Sequence, residues 1–147
     1  MFVYREWENF CSKIHNLNFN CITAFDALEV SKSSMHYAII KHDVETNIEK
    51  ALQLAIIENK YQINSTYYVQ SYLIESEKNI KLLKRISELG HEVTFHYDVL
   101  DSNNGNYKLA ELEFDKILSK FESLGMKVKT VCPHGNPVKE RHGWSSN

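Results

Sequence analysis

The chain has 147 residues, 43 % of them hydrophobic and 24 % charged, and 17 Lys and Arg against 19 Asp and Glu leave a net charge of -2. That length suits one domain over residues 1–147, able to bury about two thirds of the surface of its unfolded chain, and the composition excludes disorder, a collagen-like fibre and a disulfide scaffold. The charge balance points away from a nucleic-acid partner. No apolar run approaches the ~20 residues of a membrane helix, and Met1-Phe-Val-Tyr-Arg-Glu-Trp-Glu8 lacks the apolar stretch of a signal peptide.

The expected elements follow in chain order. Trp7, Phe10, Ile14 and Leu17 recur at helical spacing and predict a helix over about Tyr4 to Leu17. A polar loop around Ser31-Lys-Ser-Ser34 precedes Tyr37-Ala-Ile-Ile-Lys-His-Asp-Val44, an apolar run that reads as a buried strand. Thr46-Asn-Ile-Glu49 has a capping-box pattern, and Ile48, Ala51, Leu52, Ala55 and Ile56 continue it as a helix. The alternation repeats with a strand at Ile63 to Val69, a helix from Asn79 to Leu89 stopped by Gly90, and a strand at His91 to His96. A helix from Tyr107 to Leu124, ended by Gly125, leads to a fourth strand at Lys127 to Cys132. Such an order predicts an α/β fold of right-handed βα units on a parallel sheet, either doubly wound or a (β/α) barrel.

Both geometries put functional groups at the carboxyl ends of the strands. Three polar clusters stand there: His42-Asp43-Val44-Glu45, His96-Tyr97-Asp98 and Cys132-Pro133-His134-Gly135. A carboxylate and two imidazoles converging on that face form a three-ligand metal site with an open position. Plainer roles exist for each: Asp43 and Glu45 as helix-capping acids, Asp98 as loop polarity, and Pro133 to Pro137 as a turn. His91 opens its strand and reads as a structural hydrogen-bonding residue. It is about 16 Å from His96 at ~3.3 Å per residue, and an odd separation turns the two to opposite faces. The three cysteines, Cys11, Cys21 and Cys132, lack paired spacing, which fits a reducing, cytoplasmic location. Cys132 reads as a packed thiol.

In this order the motifs resemble the polysaccharide deacetylase superfamily, the nodulation-deacetylase homology domain. His42-Asp-Val-Glu45 stands where that family has Thr-Phe-Asp-Asp-Gly, and Ser65-Thr-Tyr-Tyr-Val69 where it has Ala-Thr-Phe-Phe. Gly90-His-Glu-Val-Thr-Phe-His96 matches Gly-His-Glu-Ile-Gly-x-His, and Pro133-His-Gly135 falls at Arg-x-Pro-x-Gly. A divergent bacterial branch whose first motif reads Arg-His-Asp-Val-Asp is similar over about Ile39 to Pro137. The resemblance implies a partial (β/α) barrel and metal-dependent removal of acetyl groups from N-acetylated sugars, with zinc as the expected divalent metal and a carbohydrate as the partner.

By the same resemblance Asp43 and Glu45 are the catalytic carboxylates, Asp43, His96 and His134 hold the metal, and Tyr67, Tyr97 and Asp98 contact substrate. The chain departs from the family pattern at Leu100, where a second ligand histidine is expected, and at Val131, in place of a base-orienting arginine. The alternative reading is an inactive deacetylase-like module with a binding or assembly role. A chain that stops soon after its fourth strand, at Asn147, is expected to lack the C-terminal strands of a closed barrel and to self-associate through an open sheet edge.

Overall fold

The computed structural model describes residues 4–30, 36–136 and 139–145. The loop expected at Ser31 to Ser34 lies outside them. Helix α1 (Tyr4–Asn16) leads to a two-residue strand β1 (Asn20–Cys21) and a short helix α2 (Asp26–Glu29). Strands β2 (Tyr37–Ala38) and β3 (Lys41–Val44) follow, then α3 (Ile48–Lys60), β4 (Thr66–Gln70) and a 3-10 turn over Ser71–Glu75. After α4 (Glu77–Glu88) come β5 (Glu92–Tyr97), α5 (Val99–Ser102), α6 (Tyr107–Ser123) and β6 (Val131–Pro133).

Strands β3, β4, β5 and β6 pair in that order, all parallel, and curl into half a barrel. The single strand expected at Tyr37 to Val44 is broken at Ile39 and Ile40, and its first part pairs with β1 instead. The fourth strand is shorter than its apolar pattern suggested. Lys129 of its expected length lies over the Phe25 ring, and the Thr130 hydroxyl donates to Glu92. These groups tie the segment to the amino end of the sheet, and only Val131–Pro133 enter the ladder.

Period-2 alternation divides the sheet into two faces. Val44, Tyr67, Val69, Val93 and Phe95 point toward the helices and pack with Ile48, Ala51, Leu83, Ile86, Ala110, Ile117 and Phe121 in the main core. The other face carries Lys41 and Asp43, Thr66, Tyr68 and Gln70, Glu92, Thr94 and His96, and Cys132, in register across the strands. At its amino end the Glu92 carboxylate accepts from Phe25 N–H, Thr66 Oγ1 and Thr130 Oγ1, so the segment leading into α2 closes that end.

Local signals set the helix ends. Asn47, one residue beyond the threonine of the expected capping box, caps α3: its side chain accepts from Lys50 N–H at 2.8 Å. The shift starts the helix at Ile48, which is 1 % exposed in the core. Gly90 and Gly125 follow α4 and α6 at φ +92° and +78°, a left-handed region that favours glycine. Among the described residues, no helix is long and apolar enough to cross a membrane.

Candidate metal centre

His96 ends the inner face of β5 and is only 2 % exposed. Its Nδ1 lies 3.1 Å from the backbone carbonyl of Cys132, its neighbour across the ladder. A carbonyl only accepts, so Nδ1 carries the proton and Nε2 keeps its lone pair. Holding one ring nitrogen on a carbonyl while the other stays free is how ligand histidines are oriented.

Two groups of donors share this imidazole. In one, Glu45, His96 and His134 each offer an atom within 4.8 Å of the others. Glu45 Oε1 stands 3.1 Å from His134 Nε2 and 3.8 Å from His96 Nε2, and the two imidazoles meet edge to face at 5.2 Å. In the other, Asp43, His96 and Cys132 satisfy the same 4.8 Å limit. The sequence reading placed Asp43, His96 and His134 together around one ion. The structure brings all three to the carboxyl end of the sheet but pairs His134 with Glu45, and Asp43 with Cys132. The cause is position along the chain. Glu45 and His134 both lie just past the ends of their strands, whereas Asp43 lies within β3.

Cys132, read from sequence as a packed thiol, is half-buried and points a sulfur toward Asp43 and His96. Its register opposite His96 is the signal that identifies its face, and that register is a property of the sheet. Burial pushes its thiol up, and the nearby Asp43 charge adds to the effect. Asp98 stands beside the outer group: burial raises its carboxyl above the usual range, while His134 pulls it back in part.

The two tyrosines expected at the substrate are on the helix face of the sheet, where Tyr67 borders a depression beside Asp43 and Glu45. Tyr97 follows His96 directly, so the pleat turns it to the helix face, where its ring meets Phe114 edge to face at 5.6 Å. Tyr67 is fully buried on that same face and donates its hydroxyl to Glu58 at 2.7 Å. Glu58, which the sequence reading did not single out, is fully buried on α3. It also accepts from Trp7 Nε1 at 3.1 Å and lies 2.6 Å from His42 Nε2. His91 sits 3.6 Å from Glu58 with its own bonds made: Nδ1 accepts from Ser65 N–H and Nε2 donates to the Ala55 carbonyl. Its role is structural.

The class these features define is a parallel α/β half-barrel with groups of His, Cys, Asp and Glu side chains, of the kinds able to hold a metal ion, at the carboxyl ends of its strands. No family model, curated protein or solved structure matches the chain.

Proposed function

We propose that the protein is a metal-dependent hydrolase that removes acetyl groups from N-acetylated sugars. The observation that carries the reading is the outer donor group. Two imidazoles and a carboxylate from three different strand ends converge on one point, with His96 pre-oriented by a backbone carbonyl. A nitrogen- and oxygen-rich set of three ligands with an open side fits a zinc-class ion.

Glu45, His96 and His134 would hold the ion, which when bound supplies Lewis acidity and a water acidified to about pH 7. Asp43, exposed at the mouth beside Glu45, takes the proton from the attacking water and returns it to the leaving amine. A depression lined by Asp43, Glu45, Thr46, Asn47 and Lys50, with Val44, Ala51, Leu54 and Tyr67 on its apolar side, opens next to these groups, and that mix of hydrogen-bonding and apolar side chains suits a sugar.

The test is acetate release from N-acetylglucosamine oligomers by chelator-treated protein with and without added zinc. Zinc-dependent release that disappears in His96→Ala is expected. Zinc binding without release would move the chain to the binding-module reading, and absence of both would overturn the metal site.

A further inference from the structure

We propose that Asp43, His96 and Cys132 form a second, sulfur-containing metal position for a thiophilic divalent cation, exclusive of the outer one. The proposal rests on the reading above only in that both positions use His96.

The donor atoms are already gathered. A carboxylate oxygen, a ring nitrogen and a thiol sulfur lie within 4.8 Å of one another. Ligands at ~2.0–2.3 Å from a tetrahedral ion stand about 3.3–3.8 Å apart, so small side-chain adjustments close this set. All three residues lie within paired strands: Asp43 in β3, His96 in β5, Cys132 in β6. Glu45 and His134 of the outer group instead follow strand ends. Cys132 also holds His96 by its own carbonyl, so one residue both orients the imidazole and offers a ligand beside it.

Two consequences follow from the chemistry. A thiolate prefers zinc, cobalt(II) or cadmium over magnesium or manganese, whereas an all nitrogen and oxygen set discriminates less. His96 has one lone pair, because its other nitrogen is committed to a carbonyl, so it serves one position at a time. An ion at the inner position therefore withdraws both His96 and Asp43 from the hydrolytic arrangement. Binding is an exchange without redox change: the Cys132 thiol gives its proton to solvent as the sulfur–metal bond forms.

Cobalt(II) titration of chelator-treated protein tests this, followed by the thiolate-to-cobalt charge-transfer absorption in the near ultraviolet. The band is expected in the parent and in His134→Ala, which removes only the outer position. It is expected to be absent in Cys132→Ser and His96→Ala. In the His134→Ala background, Cys132→Ser is expected to weaken cobalt binding at least about tenfold. The serine is nearly isosteric, and an unchanged circular dichroism spectrum confirms that the variant folds. No band in His134→Ala, or a band that survives Cys132→Ser and so arises from another thiol, overturns the inner position. So does a parent that binds no cobalt. Cobalt-dependent acetate release without a thiolate band sinks this proposal and leaves the hydrolase standing. A band without release supports the inner position, because an ion there withholds His96 and Asp43, and the hydrolase reading then fails only if Cys132→Ser with cobalt releases no acetate either.

Discussion

The two faces of the sheet each bury a histidine beside a glutamate, and they differ in what is left over. On the helix face, Glu58 is surrounded by donors: Trp7, His42 and Tyr67 all reach its oxygens, and His91 completes its bonds on backbone groups. Each of these side chains has its partner within the protein, although the nearby buried Ser65 hydroxyl has none. On the inner face the arrangement is acceptor-rich. His134 Nε2 donates to Glu45 Oε1 at 3.1 Å, but two carboxylates, the His96 lone pair and the Cys132 sulfur have few other protons to share. A closed network of that first kind stabilises the fold, because a buried polar group is costly only when unpaired. An acceptor-rich cluster near solvent is stabilised by a cation from outside. The same residue types thus give a structural knot on one side of the strand and a candidate metal site on the other.

The largest expected effect separates the two histidines. His96→Ala is expected to lower zinc affinity by more than ~100-fold, beyond the 10–100-fold typical of groups that merely orient ligands. His91→Ala is expected to leave affinity unchanged. Isothermal titration of both variants measures this, and equal losses would end the distinction between the faces.

Next comes the closed network. Glu58→Ala removes the acceptor of the buried Tyr67 hydroxyl and of the half-buried Trp7 and His42 nitrogens, which is expected to cost about 3–5 kcal/mol of folding stability. Urea denaturation reads this. A cost under ~1 kcal/mol would show that water satisfies these donors and that the helix face is not closed.

A smaller effect follows from pH. Burial holds His91 below its ordinary value, opposed in part by Glu58. The unfolded chain therefore takes up a proton near pH 6.5 that the folded chain refuses. Stability from this group is complete above about pH 6.5. It declines as pH falls from there to the lower folded value, by at most ~1.4 kcal/mol per pH unit. Denaturation between pH 5 and 8 is expected to show this slope in the parent and to lose it in His91→Gln.

The smallest effect tests the link between helix α3 and both faces, since α3 carries Glu58 and begins just after Glu45. Asn47→Ala removes its cap and is expected to cost about 1 kcal/mol while zinc affinity stays within twofold. A large loss of affinity would mean that the cap, rather than the strand ends, positions Glu45.

Much of the scaffold is written in local pattern. Helical spacing from Trp7 to Leu17 and from Ile48 to Ile56, and the glycines at 90 and 125, set helices that the fold keeps with small shifts. Alternation of strands and helices implied the parallel α/β arrangement, because short parallel connections leave few other topologies. Period 2 separated His91 from His96 before any coordinates, since an odd spacing in a strand reverses the face.

What local pattern does not contain is register between strands and the path of irregular segments. That Cys132 lies opposite His96, that Asp43 meets the sulfur while His134 meets Glu45, and that Tyr67 and Tyr97 face the helices are results of pairing across β3 to β6. Glu58 is a similar case. On the helix pattern alone it is one polar residue near the end of α3, and only the approach of α1, β3 and β4 buries it and supplies its donors. Side-chain periodicity is encoded by each segment for itself. Which segments meet, and at what offset, is decided by the summed packing of the whole chain.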